Sequence, residues 1–190
     1  MCYVRKYQYR IEPAESYKII RNCSGCGKKS LYQNTNSFRV NANGNRVDIW
    51  LIYQCEQCKH TFNLEIYERI KPDDMNRTEY ELFLINDRRL SDNFGIDKGL
   101  FARNRAIIDE KGLKYQIVTG TEKSVKIVDT NFVKGDLLEV DNPYGIKIRN
   151  EKVIAELMNI SRSRAQKLQE SGMVEVEQDI SNKIYKIWIR

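Results

Sequence analysis

The clearest chemistry in the chain sits in two cysteine pairs, Cys23-Ser-Gly-Cys26-Gly27 and Cys55-Glu-Gln-Cys58. A two-residue gap lets a tight turn aim both thiolates at one point. Two such pairs supply the four soft ligands of a tetrahedral Zn2+. Four thiolates close the coordination sphere and leave no position for water or substrate, so the expected metal is structural. Residues 27–54 separate the pairs, and this stretch must fold back on itself for the sulfurs to meet. Gly25 and Gly27 permit the turn and the approach of backbone N–H groups to sulfur in the first pair. Lys59 stands where the second pair would carry the matching glycine. His60, the only histidine, reads as an exposed strand residue rather than a ligand. Cys2 is left over as a free thiol. Cysteines spaced for metal rather than for a disulfide framework point to a reducing, cytoplasmic setting.

Little else in the chain resembles reaction machinery. There is one histidine, no phosphate-cradling Gly-rich loop and no nucleophile elbow, so no enzyme is expected. Acidic pairs such as Asp73-Asp74 read as caps and solvated loops. The first ten residues are charged and lead into no apolar stretch, so no secretory signal is expected. No apolar run approaches the roughly 20 residues of a membrane helix.

The elements that must position the cysteines follow from local pattern. Asn43-Gly44 is a strong hairpin signal between Ser37–Ala42 and Asn45–Gln54. A turn centred there pairs Ala42 with Asn45, Val40 with Val47, Arg39 with Asp48 and Phe38 with Ile49. A third strand over Thr61–Ile66 alternates Phe62, Leu64 and Ile66 on one face. Trp50 and Ile52 oppose Ile49 and Leu51, so the second strand is apolar on both faces and one of them is expected to pack on the next module. The spacing Thr78-Glu79-Tyr80-Glu81 suggests a capping box, and Lys98–Ile108 reads as a helix with Leu100, Phe101, Asn104, Ile107 and Ile108 on one side. Short strands are expected at Lys114–Val118, Val125–Val128, Leu137–Val140 and Ile146–Ile148. Helices over 151–158 and 162–171 follow, then strands at Val174–Glu177 and Ile184–Ile189, with Gly172 closing the second helix.

Charge adds a functional hint. The chain carries a formal +6. Residues 1–71 hold 12 Lys/Arg against 6 Asp/Glu, an excess that favours a polyanionic partner. Lys28, Lys29, Arg39 and Arg46 would form a basic edge on the ribbon, with Tyr32 or Phe38 as stacking partners. In the C-terminal helix, Ser161 makes an N-cap and Ala165 with Leu168 forms the buried stripe. Arg164 and Lys167 flank it on one side and Arg162 on the other. Arginines in a first turn oppose the macrodipole at a cost of about 0.3–1 kcal/mol each, a placement that makes sense if phosphate binds there.

Two resemblances sharpen this. Ser161-Arg-Ser-Arg-Ala-Gln-Lys-Leu-Gln-Glu-Ser-Gly172-Met-Val-Glu-Val resembles the helix–turn–strand core of the S4-type RNA-binding domain. That resemblance implies an RNA-facing helix with Arg162, Arg164 and Lys167 as contacts. Gln178-Asp179-Ile180-Ser181 stands where that domain has an Asn-Gly hairpin. The same residues also suit a helix-turn-helix variant for DNA. Over nearly its whole length the chain resembles an uncharacterised bacterial family, the domain-of-unknown-function family numbered ten sixty-two. The residues that carry this are Cys23-x-x-Cys26-Gly27, the run from Phe38 through Cys55-x-x-Cys58, Asn86-Asp87 and Ile160-Ser-Arg-Ser-Arg164. It implies a bacterial cytoplasmic protein and supplies no activity.

The reading is therefore an α+β protein in three parts. An N-terminal zinc ribbon with a three-stranded antiparallel sheet spans 1–71, a central helical linker module 72–110, and a C-terminal S4-like αβ module 111–190. The expected function is non-catalytic nucleic-acid binding, RNA in preference to DNA, with a structural zinc. The alternative is a protein-interaction adaptor docking a partner protein through the ribbon sheet.

Overall fold

The computed structural model describes residues 4–119, 131–179 and 183–190; the strand expected at Val125–Val128 lies outside them. The chain divides into two compact units, Pro13–Lys114 on one side and Met1–Glu12 with Tyr115–Arg190 on the other. Helices and strands are both present, in two sheets with few helices, as an α+β reading requires.

The first unit is built on an antiparallel sheet. Its strands are β2 (Ile19–Cys23), β3 (Lys28–Asn43), β4 (Arg46–Cys55), β5 (Thr61–Ile70) and β6 (Ile107–Ile108), after a first strand β1 (Lys6–Pro13) that belongs to the other unit. The order is β5-β4-β3-β2-β6, five strands where the sequence pattern predicts three. The β3–β4 register also differs from expectation. Asn43 pairs with Arg46, Ala42 with Val47 and Val40 with Ile49, so the turn is Gly44-Asn45 rather than Asn43-Gly44. Gly44 at φ +62° supplies the left-handed first position that a Gly-Asn turn needs. The slip moves each partner by two residues, so every side chain keeps its face. On β4 the inward set Val47, Ile49, Leu51, Tyr53 and Cys55 is buried, while Trp50 and Ile52 on the other face are half-buried.

Helices α1 (Arg77–Leu84), α2 (Arg88–Phe94) and α3 (Lys98–Arg103) share this core. Phe83 meets Phe38 edge-on at 4.8 Å and stacks on Phe94 at 5.7 Å, contacts worth about 0.5–1.5 kcal/mol each beyond area burial. The cap of α1 is Asn76, accepting from Glu79 N, and not Thr78, which lies within the helix. Asp87 and Asp97 cap α2 and α3 in the same way. The expected helix through Ile108 stops at Arg103. Arg105 turns left-handed at φ +52°, Ala106 N closes onto Phe101 O, and Ile107 and Ile108 become a strand beside Ile20 and Ile19.

That stop closes the sheet. The Asn104 side chain donates to Glu65 O and accepts from Glu65 N, both at 2.8 Å, on the outer strand β5. Three residues later Ile107 pairs with β2 near the opposite edge. Three residues span at most about 10 Å, so the sheet must curl until its two edges meet, as in a small barrel. Arg21 of β2 stacking on Phe62 of β5 at 3.5 Å is the direct mark of that closure. The long strand β3 bends through a register shift between Asn34 and Phe38, with Asn36 left-handed at φ +58°. A buried polar knot holds the bend: Asn34 Nδ2 donates to Ser16 Oγ at 2.9 Å and Ser91 Oγ at 3.0 Å, and Thr35 Oγ1 donates to Ile52 O at 2.8 Å.

The second unit has a mixed sheet in the order β7-β1-β8-β10-β9. Its further strands are β7 (Tyr115–Thr119), β8 (Leu137–Asp141), β9 (Val174–Gln178) and β10 (Ile184–Ile189). β1 runs parallel to β8; β10 runs antiparallel to β8 and β9. Helices α4 (Asn150–Leu157) and α5 (Arg162–Glu170) supply buried Val153, Ile154, Leu157 and Ala165. The strand expected at Ile146–Ile148 is absent for a clear reason. The fully buried Asn142 accepts from Ile146 N at 3.0 Å and donates to Ile146 O at 2.9 Å, taking the backbone groups a neighbouring strand would need. Asp136, 2% exposed, receives two hydrogen bonds from Arg5 at 2.8 and 2.7 Å, which hold its carboxyl below the usual range.

Gly95 marks the tightest approach in the first unit. Its carbonyl accepts from Tyr17 N at 2.7 Å, and an added Cβ would overlap Ser16 Oγ and lie 2.6 Å from Ser16 Cβ. Gly95→Ala is therefore expected to lower unfolding free energy by about 1–3 kcal/mol, read from urea denaturation; an unchanged midpoint would refute the contact.

Candidate metal centre

Two hairpin-like connections deliver the cysteines. Cys23 ends β2 and Cys26 lies in the turn into β3, while Cys55 ends β4 and Cys58 lies in the turn into β5. Because β2–β3 and β4–β5 are antiparallel pairs within one curled sheet, both turns fall at the same end of it. The two turns are alike. Gly27 N donates to Cys23 O at 2.8 Å with Gly27 at φ +66°, and Lys59 N donates to Cys55 O at 3.1 Å with Lys59 at φ +65°. The second knuckle thus takes the geometry of the first without its glycine. Gly25 has a different reason: an added Cβ would stand 2.8 Å from Cys58 Sγ.

All four Sγ atoms lie within 4.8 Å of one another, with Cys23–Cys58 at 3.3 Å and Cys26–Cys55 at 3.8 Å. Four Zn–S bonds of about 2.3 Å in a tetrahedron require sulfurs about 3.8 Å apart. The donor set therefore fits a tetrahedral dication, and all four cysteines expected from the sequence are brought together. The fifth possibility, His60, is not among them. It is exposed, its Nε2 is 2.9 Å from Ser24 Oγ, and it lies just before β5 rather than within a strand. His60 ties one knuckle to the other.

The thiols are not equivalent. A hydrogen bond with the buried Tyr32 hydroxyl draws Cys23 down to about 6, against its burial and with help from Cys58 and the Cys26 N–H. Cys55 is lowered by the N–H groups of Cys58 and Gln57. The His60 N–H pulls Cys58 the same way, but the neighbouring thiols Cys23 and Cys26 outweigh it and leave Cys58 pushed up to about 12. Cys23 and Cys55 are thus inclined to give up their protons and Cys58 to keep its own, a balance that a bound cation would shift toward thiolate.

The basic residues named from sequence are scattered. Lys28 and Lys29 lie at the cysteine end of β3, whereas Arg39 and Arg46 lie at the Gly44 hairpin. Ten residues of strand place Lys29 and Arg39 roughly 30 Å apart, and β3 is interior, flanked by β2 and β4. The four do not make one basic edge. Arg39 lies over the Trp50 ring and Arg46 donates to Arg69 O. Tyr32 is 1% exposed and Phe38 packs on Phe83, so neither is free to stack a base. Arg162, Arg164 and Lys167 do share α5 and are exposed. Sequence reading passed over Arg21 and Arg105, although Arg21 interrupts the inward series Ile19-x-Arg21-x-Cys23.

Fold and site together define an α+β protein with a cluster of four cysteines placed so that they could hold a metal ion. Residues 40–180 match the model of a family described as protein of unknown function (DUF1062), and the chain belongs to that family. No curated protein and no solved structure matches it. Cys55 and Cys58 lie within the matched region and Cys23 and Cys26 before it.

Two outcomes follow for the centre. Elemental analysis of purified protein should give one divalent ion per chain, lost in Cys55→Ser, with hydrogen-exchange protection of β3 and β4 collapsing on chelation; a metal-free, fully protected protein would contradict this. Lys59→Gly should stabilise the metal-loaded protein by about 1 kcal/mol by removing left-handed strain from a β-carbon-bearing residue. A lower denaturation midpoint would instead assign the Lys59 ammonium, which donates to Glu56 O at 3.3 Å, the larger part.

Proposed function

We propose that this is a non-catalytic nucleic-acid-binding protein of the cytoplasm, RNA in preference to DNA, and that its four cysteines hold a structural Zn2+. The observation that carries the nucleic-acid reading is the state of the cations on α5. On α1, α2 and α4 an exposed or half-exposed cation has a carboxylate one turn away, as in Arg77–Glu81, Arg88–Asp92 and Lys152–Glu156. Arg162, Arg164 and Lys167 have no ion pair among the described residues, although Glu170 is near enough to accept from Gln166 at 2.8 Å. Ser161 caps the helix by accepting from Arg164 N at 3.2 Å. Ala165 is fully buried, which fixes how the cations are presented. Two cations in the first turn, Arg162 and Arg164, with Lys167 in the last turn of the same short helix, are suited to a phosphate backbone.

The order α4, α5, β9, β10 is compatible with the S4-type resemblance, and the left-handed Asn159 between the helices is equally compatible with a helix-turn-helix variant. Zinc is favoured over other dications by the all-sulfur donor set and the tetrahedral spacing.

Fluorescence anisotropy with structured RNA and with duplex DNA tests the reading. Three phosphate contacts predict about a twentyfold to fortyfold loss of RNA affinity from 50 to 200 mM salt, the larger for base-paired RNA. Arg164→Ala should weaken binding about fivefold to tenfold and flatten the salt slope by about 1. Equal, salt-insensitive or absent binding of both nucleic acids would reject the proposal.

A further inference from the structure

The open edge of β2 carries a second cationic feature, in the metal-bearing unit. β6 covers only Ile19 and Ile20, so among the described residues the β2 edge from Arg21 onward has no strand beside it. The cleft left there has a volume of about 290 Å³ and is lined by Arg21, Asn22, Lys29, Phe62 and the turn Asn104-Arg105-Ala106-Ile107. No carboxylate lines it, and none of its three cations has an ion pair among the described residues. The groove on the sheet of the other unit differs: there Arg10 and Lys186 are balanced by Glu139 and Asp141.

The cations are set up rather than loose. Arg21 lies over the Phe62 ring, its Cζ 3.5 Å from the ring centre, and near the Tyr32 ring at 5.7 Å. A guanidinium stacked by its face keeps its N–H donors, which lie in its plane, free for an oxyanion. Lys29 is exposed and stands opposite Asn22 across the β2–β3 pair. Arg105 occupies the left-handed closing position of α3 at φ +52°, where α5 uses Gly172 at φ +72° and α1 and α4 use asparagine. Arginine is a costly choice for a helix stop alone.

We propose that this cleft binds a phosphate group, with Arg21 as the oriented fork, Lys29 and Arg105 as the flanking charges, and Asn22 available as a further donor. The cleft is at the small end of ligand sites, which typically run about 300–1,000 Å³, and so suits a phosphate with one attached sugar or base. A phosphodiester of RNA and a free phosphate ester offer the same chemistry.

Titration of the zinc-loaded full chain, followed by two-dimensional NMR, would use inorganic phosphate, adenosine monophosphate and a five-nucleotide oligouridylate. Arg105→Gly is the informative variant, because glycine fits the left-handed position and removes the charge together. It should raise the melting temperature while lowering affinity about fivefold to tenfold; Lys29→Gln should lower affinity by a similar factor with the melting temperature unchanged. Tighter binding of the oligonucleotide identifies the RNA backbone as the ligand, and tighter binding of the mononucleotide a free phosphate ester; either supports the site. No shift of β2 or 104–107 resonances with any of the three probes, or shifts insensitive to both variants, would overturn it. The α5 reading is tested on Arg164→Ala, so each can fail alone.

Discussion

Four sulfur atoms held within 4.8 Å of one another are the constraint around which the first unit is arranged. Such a cluster cannot be fully ionised without a cation, and with one it binds two hairpins together at a single end. An ion held by Cys23 and Cys26 between β2 and β3 and by Cys55 and Cys58 between β4 and β5 would fix the register of both strand pairs from the same place. Structural zinc contributes an apparent 10–16 kcal/mol or so in small peptides, on the scale of the roughly 5–15 kcal/mol stability of a whole domain. With such an ion bound, the strand ends near the cysteines could be short and partly exposed. The apolar core is completed elsewhere, by Phe83, Leu100 and Phe101 from the helices.

A second device recurs where strands run out of partners. Asparagine amides, which both donate and accept, take the backbone groups left over. Asn104 does this for Glu65 at the closing edge, Asn86 Oδ1 accepts from Phe38 N beyond the bend of β3, and Asn142 does it for Ile146 in the other unit. A buried backbone group without a partner costs about 1–3 kcal/mol, a cost that Asn142 spares at the buried Ile146; at Glu65 and Phe38 the amides join more exposed backbone across elements. Asn36, Asn86 and Asn159 also adopt left-handed backbone, the conformation asparagine tolerates best after glycine.

These details decide what could be read from sequence. The cysteine centre was legible because its signal is local: two short spacings and a hairpin between them. Hairpin pairing was legible in its faces but not in its partners, since Asn43-Gly44 and Gly44-Asn45 are both good turns and a left-handed Gly44 serves either. The end of α3 was not legible. Nothing in the periodicity of Leu100, Phe101, Asn104 and Ile107 announces that Arg105 will turn left-handed, and that turn is driven by Asn104 reaching a strand 39 residues earlier. β1 was hidden for the same reason on a larger scale. Its partner β8 lies some 130 residues away, and neither strand has a turn signal linking it to the other.

Closing the sheet also changes the meaning of the net charge. Along the sequence the positive excess lies in residues 1–71. In the fold, Arg5, Lys6 and Arg10 join the other unit and the acid-rich helices join the cysteine unit. Pro13–Lys114 then holds 17 Lys/Arg and 14 Asp/Glu, and the remaining residues 15 and 12, so each unit carries +3. Neither unit is basic enough for bulk charge to select a polyanion. What bears on a polyanion is then local: how cations are grouped on one element or around one cleft. By that measure the candidate sites are α5, with Arg162, Arg164 and Lys167, and the open edge of β2, with Arg21, Lys29 and Arg105, rather than the ribbon tip, where Arg46 is tied to the backbone of Arg69.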